Sequence, residues 1–227
     1  MAPPPLLSTA ASTLPEAPSE SLLAFAALGF ERDDVPLFDG LSGAVAAGDI
    51  LQIAGGNGSG KTTLLRILST ALAATEGSLL WRGKALTRQR AEYLADLVFV
   101  GHSPGIKLAL TPRENLSWLA RLYPVREQDI AEALVRVGLA GREDVPCRTL
   151  SAGQQRRVAL ARLVIARATL WILDEPMTAI DQDGVALIEK LLRAHAEAGG
   201  AVILSSHQAL NIDGVRVLDL AEYACHD

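Results

Sequence analysis

A glycine-rich loop between a short apolar run and a helical pattern constrains the fold of this chain more than any other feature. Residues 55–63 read GGNGSGKTT and fit the pattern G-x-x-x-x-G-K-[S/T]. Residues 49–54 before the loop predict a buried strand, and the apolar spacing after it predicts a helix. In a strand–loop–helix unit, backbone N–H groups and a helix N-terminus converge on phosphate oxygens. The pattern therefore predicts a nucleoside-triphosphate site.

Both the backbone and the side chains of the loop residues are expected to bind the triphosphate and its metal ion. Lys61 can reach the β- and γ-phosphates, and the Thr62 hydroxyl can bind Mg²⁺. A glycine-rich turn with a chance lysine is the alternative, and the correct flanks on both sides argue against it. The candidate phosphate-binding residues are Gly55, Gly56, Asn57, Gly58, Ser59, Gly60, Lys61, Thr62 and Thr63. The apolar positions of the predicted helix are Leu64, Ile67, Leu68, Ala71 and Leu72.

Composition narrows the class of protein. A chain of 227 residues with 49% hydrophobic residues predicts one domain, with room for a subdomain. The net charge of −5 and the lack of a basic block are not typical of nucleic-acid binders. Cys147 and Cys225 lie far apart with no metal-ligand spacing, which predicts free thiols in a reducing compartment.

The first residues and the hydropathy pattern predict a location. Residues 1–20 carry five prolines and neither Lys nor Arg, which predicts a disordered tail before a domain over 21–227. No uninterrupted apolar run reaches the ~18 residues of a membrane span, and no positive segment precedes the first apolar residues as in a secretory signal. We therefore expect a cytoplasmic protein that reaches a membrane only by docking to a partner.

Strand-like runs flank the glycine-rich loop on both sides. Residues 22–30 and 41–46 predict an antiparallel flap ahead of the loop, and residues 75–90 predict a second hairpin. Phe30 is the aromatic residue best placed to stack on an adenine ring, with Phe25 and Phe38 as competitors. A phenylalanine in a strand is more often a core residue, and this alternative stays open.

The middle of the chain is predicted to be mainly helical over about 92–160, apart from a short buried strand at 97–100. Thr111 and Glu114 form a capping-box pattern, and Gly138 ends a second helical pattern. A further capping box at Ser151 and Gln154 opens an arginine-bearing helix. Such a helix start attracts anions, whereas a plain helix cap is the simpler alternative.

Two later apolar strands end in polar residues. Residues 170–173 lead directly into Asp174 and Glu175, and residues 201–206 lead into His207. Polar residues at the carboxyl ends of parallel strands point into the crevice where ligands bind. Asp174 suits a Mg²⁺ site and Glu175 suits a base for an attacking water, unless the pair lies in a solvated turn. His207 either has a structural role or contacts a phosphate group.

Taken in order, these motifs resemble the nucleotide-binding domain of an ABC ATPase, over about residues 22–210. The resemblance identifies the P-loop as Walker A, residues 150–154 as the signature sequence, residues 170–174 as Walker B, Glu175 as the catalytic glutamate, residues 178–181 as the D-loop and His207 as the switch histidine. Ala152 stands where the signature usually has glycine. The glutamine usually found after the strand at 97–100 is replaced by His102 or Ser103.

Several longer strings resemble a particular group, the ATP-binding subunits of the haem exporter of bacterial cytochrome c maturation. The strings cover residues 101–107, 144–146, 150–163, 168–183 and 199–210. The resemblance implies an α/β P-loop NTPase fold with an antiparallel β flap and an inserted helical subdomain. It also implies an ATPase that drives export of haem or release of a haem–chaperone complex.

The resemblance further implies a two-subunit site. ATP and Mg²⁺ are the expected cofactors, with Thr62 and Asp174 as the Mg²⁺ ligands. Ser151, Gly153 and Gln154 are expected to act on ATP held by a second copy, so that two ATP molecules lie between two subunits. Integral membrane subunits are the expected partners, and nucleic acid is not an expected partner. The membrane subunits are expected to dock on the helical subdomain, at the cytoplasmic face of the inner membrane.

Three other readings start from the same residues. A soluble ABC ATPase could serve as an assembly scaffold partner without transport. A DNA-repair ATPase would need long coiled coils, and no sustained heptads occur in the sequence. A nucleotide-binding regulator without hydrolysis is the third reading, and the presence of Glu175 and His207 argues against it.

Overall fold

Two β-sheets organise the part of the chain that the computed structural model describes, residues 21–33, 35–119 and 125–224. The predicted tail 1–20 and Cys225 lie outside these ranges. In chain order the strands and α-helices are β1 Ser21–Arg32, β2 Val35–Ala46, β3 Ile50–Ala54, α1 Lys61–Leu68, β4 Glu76–Trp81, β5 Lys84–Ala85, α2 Leu86–Ala95, β6 Leu97–Val100, α3 Pro112–Leu119, α4 Glu127–Arg136, α5 Ala152–Ile165, β7 Leu170–Asp174, α6 Gln182–Glu197, β8 Ala201–Ser205 and β9 Arg216–Asp219.

The first sheet is antiparallel, with the strand order β2-β1-β4-β5. It contains the predicted flap and the predicted second hairpin. The flap strand β2 begins at Val35, earlier than the apolar run at 41–46 indicates. The hairpin is shorter than predicted, since β5 ends at Ala85 and the helix α2 follows at once.

The second sheet is parallel, with the strand order β6-β7-β8-β3-β9. Alternate residues of its strands point to opposite sides. Both sides of β6, β7, β8 and β3 are buried, whereas the edge strand β9 is exposed at Arg216 and Val217. Ile53, Ile172 and Ile203 join the core shared with α1 and the antiparallel sheet, whereas Leu173 and Leu204 join the core beneath α5 and α6. Burial on both sides explains why these strands are nearly continuous apolar runs.

A third core lies among α3, α4 and the buried side of α5, around Leu134, Cys147 and Val158. The capping box predicted ahead of α3 is present, because the Thr111 amide donates to Glu114 and the Glu114 amide donates to the Thr111 hydroxyl. Burial raises the pKa of the Cys147 thiol. Of the helices of this core, α3 and α4 lie within the predicted section 92–160, whereas α5 extends beyond it to Ile165. The section also contains the sheet strand β6.

The first helix ends sooner than its apolar spacing predicts. It ends at Leu68, so Ala71 and Leu72 lie beyond it. The Thr70 amide donates to Ile67 and the Ala71 amide to Arg66, which is the hydrogen-bond pattern of a Schellman end. Thr70 takes the left-handed conformation (φ 61°) that glycine usually supplies, so the sequence lacks the usual signal. No described helix is long and apolar enough to cross a lipid bilayer.

Candidate nucleotide-binding and hydrolysis site

The glycine-rich loop joins β3 to α1, as predicted. Gly55 and Gly60 both have positive φ, at 141° and 98°. A Cβ atom on Gly55 would lie 2.5 Å from the Ser59 hydroxyl, and one on Gly60 would lie 2.7 Å from Leu37. Together with the positive φ, these close approaches would strain any side chain at either position. The Ser59 hydroxyl is buried and has no protein partner. A glycine-rich turn with an unpaired, buried hydroxyl fits a phosphate group.

Lys61, the first residue of α1, lies inside this loop. Only 8% of its surface is exposed, and its Nζ donates to the carbonyl oxygens of Gly55 (2.7 Å) and Gly56 (2.9 Å). The first turn of α1 has no acidic residue that would compete with an anionic ligand. The ammonium group and the positive end of the helix therefore act in the same direction on a phosphate.

Asp174 is 1% exposed at the end of β7, and it meets the loop directly. The Thr62 hydroxyl donates to its carboxylate at 2.9 and 3.2 Å, and the Ser205 hydroxyl donates to it at 2.8 Å. One hydroxyl and one carboxylate fit Mg²⁺, which takes its other ligands from phosphates and water. The described residues contain no group of three or more His, Cys, Asp or Glu side chains that could hold a metal ion.

Glu175 follows in an unusual conformation, with φ at 50°. The left-handed region costs about 1–2 kcal/mol for a residue with a Cβ atom. Its amide donates to the Ser205 hydroxyl at 2.9 Å. Its Oε1 atom is buried and makes no hydrogen bond of good geometry, although His207 Nε2 lies 3.3 Å away. The Glu175 backbone is thus held by Ser205, while one of its carboxylate oxygens accepts no hydrogen bond.

His207 is half exposed, and Gln52 supports the loop that carries it. Gln52 is 8% exposed in β3, and its amide nitrogen donates to the carbonyl oxygens of Ser206 (3.3 Å) and Gln208 (3.1 Å). The two carbonyls belong to the residues on either side of His207. Sequence reasoning missed this role of Gln52, although a single polar residue in a buried strand always needs partners.

Arg156 is the second supporting residue that sequence reasoning missed. The sequence marks it only as one of several arginines on the helix after the signature. It is 3% exposed, and its guanidinium group donates to backbone carbonyl oxygens at the ends of β6 and β7. Burial lowers its pKa. The spacing from Gly153 to Arg156 to Leu160 places it on the buried side of α5, which was the available signal.

The signature residues lie apart from this cluster. The predicted capping box is present, because Ser151 Oγ accepts from the Gln154 amide at 3.2 Å and Gln154 Oε1 accepts from the Ser151 amide at 3.0 Å. Ser151 is exposed, and within the described ranges no hydrogen bond or ion pair joins Ser151, Gly153 or Gln154 to the loop 55–60. In the described part of the structure, the signature therefore forms no hydrogen bond or ion pair with the P-loop of its own chain.

The aromatic residues of the flap differ in whether their rings are exposed enough to stack on an adenine base. Phe25 and Phe38 are 2% and 1% exposed, so their rings cannot stack on a ligand. Phe30 keeps part of its surface exposed, and its ring lies 6.4 Å from that of Phe38, which would lie 3.1 Å from a Cβ atom placed on Gly60. Phe30 thus remains the candidate for adenine stacking.

Replacing Gly153 with alanine is expected to slow ATP turnover by about tenfold or more. The new Cβ atom would lie 2.6 Å from the Ala179 carbonyl oxygen, so the start of α5 must move away from residues 178–181. Overpacking costs about 1–3 kcal/mol, and the better helix propensity of alanine returns about 1 kcal/mol, so the fold survives. Thermal unfolding and ATPase assays would check this. Ala186→Gly, on the exposed side of α6, is the control, and equal rates in both variants would contradict the prediction.

Comparison with known proteins agrees with this geometry. The chain matches the family described as ABC transporter over residues 38–178, more than half of its length. It is 52% identical to the cytochrome c biogenesis ATP-binding export protein CcmA of Pseudomonas fluorescens (strain Pf0-1), over 87% of this chain and 95% of that protein. The protein of the same name in Yersinia pestis is 50% identical, over 86% of this chain and 92% of that protein.

Two solved structures share the fold. An ABC transporter ATP-binding protein from Pyrococcus furiosus superposes with a TM-score of 0.79 and 27% identity, covering 89% of this chain and 99% of that one. The cbiO1 protein of Clostridium perfringens, part of the ABC transporter complex cbiONQ, superposes with a TM-score of 0.70 and 28% identity, covering 83% and 79%. The predicted P-loop ABC ATPase fold is confirmed. The chain belongs to the ABC transporter family, in the group of CcmA ATP-binding subunits, and is an ABC-type ATPase.

Proposed function

We propose that this chain hydrolyses ATP to drive an exporter of haem, or the release of a haem–chaperone complex, in cytochrome c biogenesis. The observation that most directly supports ATP hydrolysis is the hydrogen bond from the Thr62 hydroxyl to the Asp174 carboxylate. This contact brings the P-loop and the Walker B strand together. The transport role rests on the similarity to CcmA proteins, which covers most of this chain and of those relatives.

The reaction is attack of water on the γ-phosphate, for which the protein supplies position and charge. Lys61 and the amides of residues 55–60 hold the phosphate oxygens. When bound, Mg²⁺ would be held by Thr62 and Asp174 and would neutralise phosphate charge. The Glu175 carboxylate accepts the proton of the attacking water. His207, which lies 3.3 Å from Glu175, contacts the γ-phosphate.

The active form is a head-to-tail pair of subunits with ATP between them. The exposure of Ser151 and the lack of contacts from the signature to the described P-loop of the same chain support this arrangement. Ser151, Gly153 and Gln154 of one copy then close on the ATP bound by Lys61 of the other. ATP favours the closed pair, and hydrolysis opens it.

Integral membrane subunits complete the exporter and hold this chain at the cytoplasmic face of the inner membrane. A groove of about 130 Å³ lies beside the segment that follows β6, with Lys107 Nζ 4.6 Å above the Trp118 ring. Trp118, which lines this groove, is 52% exposed, and Leu108 next to Lys107 in the sequence is 49% exposed. We take this Lys107–Trp118 groove as the docking surface for a cytoplasmic loop of the membrane subunits.

Co-purification from detergent-solubilised membranes tests this assignment. The tagged chain is expected to bring down integral membrane proteins, and Trp118→Ala is expected to lower their yield several-fold. The matched control is Val217→Ala, which truncates another exposed apolar side chain on β9. Recovery of no membrane protein with the unaltered chain would favour a soluble assembly partner, and equal yields from both variants would move the docking surface elsewhere.

A further inference from the structure

The guanidinium group of Arg156 makes five hydrogen bonds, all to backbone carbonyl oxygens. The acceptors are Gly101 (2.7 Å), His102 (3.1 Å), Asp174, Glu175 (2.9 Å) and Pro176 (3.4 Å). Gly101 and His102 follow β6, and the other three residues lie where β7 ends. One buried side chain of α5 therefore ties the ends of two neighbouring core strands together.

The acceptors at β7 include both peptide groups that flank the Glu175 Cα atom. Arg156 Nη2 donates to the carbonyl oxygens of Asp174 and Glu175. The Ser205 hydroxyl holds the amide of Glu175 at 2.9 Å. The orientations of these two peptide groups set φ and ψ of Glu175. That residue has a φ of 50°, a conformation that a residue with a Cβ atom avoids unless its surroundings hold it there.

We propose that Arg156 is a positioning residue for ATP hydrolysis, which holds the Glu175 backbone in the left-handed conformation that places its carboxylate beside His207. The inference rests on the proposed role of Glu175 as the base. It also connects the two halves of the dimeric site, because the helix that bears Arg156 begins with the signature residues. A displacement of α5, or of the segment after β6, therefore changes the position of Glu175.

Arginine suits this position better than any other cation. Its planar group presents five N–H donors in a fixed fork, which matches five carbonyl acceptors on two strands. A lysine has three donors on a single nitrogen and cannot span both strand ends. A glutamine has two donors and no charge. The expected order of activity is therefore arginine, then lysine, then glutamine.

ATPase kinetics of Arg156→Gln and Arg156→Lys test the proposal. We expect kcat to fall about tenfold to hundredfold in Arg156→Gln, since a displacement near 1 Å costs about that much, and to fall less in Arg156→Lys. The dissociation constant for ATP should stay within about twofold, because neither variant touches the P-loop. Arg193→Gln is the matched control, since Arg193 also donates to a backbone carbonyl (Asn211, 3.0 Å) but is exposed on α6.

A double variant separates positioning from a merely structural role. If Arg156 acts through the Glu175 carboxylate, adding Arg156→Gln to Glu175→Gln should leave the single-turnover rate unchanged within about twofold. The proposal would be overturned if the double variant lost the product of the two single losses. It would also be overturned by an unchanged kcat in either folded single variant, or by equal losses of kcat and of ATP affinity. If Arg156→Gln does not fold, Arg156→Lys decides. Unchanged turnover in Glu175→Gln alone would instead overturn the proposed base, so the two failures are distinguishable.

Discussion

Replacing Glu175 with glutamine is expected to lower ATP turnover by about a hundredfold to ten-thousandfold, the usual loss when a general base is removed. Glutamine keeps the size and shape of the side chain but cannot take the proton from water. Binding of ATP should be unaffected, since the contacts of Lys61, Thr62 and Asp174 do not involve Glu175. The ATP-bound pair of subunits should then persist. Size-exclusion chromatography with light scattering should show the dimer mass with ATP and the monomer mass without it.

The control for this variant is Glu197→Gln, an exposed glutamate at the end of α6. It removes the same charge without touching the strand ends, and it should hydrolyse ATP at the normal rate. Normal turnover in Glu175→Gln would show that another group activates the water. If turnover falls strongly but no dimer forms in the presence of ATP, the assignment of Glu175 as the base would stand. The proposed two-subunit site would then be contradicted.

Replacing Lys61 with methionine is expected to weaken ATP binding by about a hundredfold. Methionine matches the length of lysine but loses the ammonium group, which is worth about 3 kcal/mol as a charged hydrogen-bond donor to phosphate. The environment of Lys61 favours a strong effect, because the side chain is 8% exposed and lies within the loop. The carbonyl oxygens of Gly55 and Gly56 also lose their donor. Isothermal titration calorimetry with a non-hydrolysable ATP analogue would measure the change.

Lys190→Met is the control for that loss, because it removes an exposed lysine from α6. Its affinity for the nucleotide should equal that of the unaltered chain. An affinity within about threefold of normal in Lys61→Met would mean that the loop amides alone bind the phosphates. Thermal unfolding of both variants separates a loss of binding from a loss of fold.

Local chemistry explains which parts of the fold could be predicted. The capping boxes at Thr111 and Ser151 each use groups within three residues, so the pattern alone identifies them. The early end of α1 could not be predicted, because Thr70 occupies a left-handed position that normally takes glycine. The edge strand β9 was also missed, since Arg216 and Val217 are exposed and only pairing with β3 makes the segment a strand.

The candidate site divides in the same way. The glycine-rich loop and the acids that end an apolar strand can be read locally, because phosphate and Mg²⁺ chemistry restricts the residue types. The supporting residues cannot be read locally. Gln52 supports a loop more than 150 positions away, and only the fold shows that it flanks His207.

The sequence by itself predicted nucleoside-triphosphate binding and the residues expected to hold phosphate and Mg²⁺, since each depends on short motifs of fixed chemistry. The resemblance to ABC ATPases added ATP and its hydrolysis. Only the tertiary structure decided which aromatic ring is exposed enough to stack on an adenine base. It also separated the signature from the P-loop of its own chain, and it buried Arg156 against the ends of two strands. These outcomes depend on packing between segments that are distant in the chain.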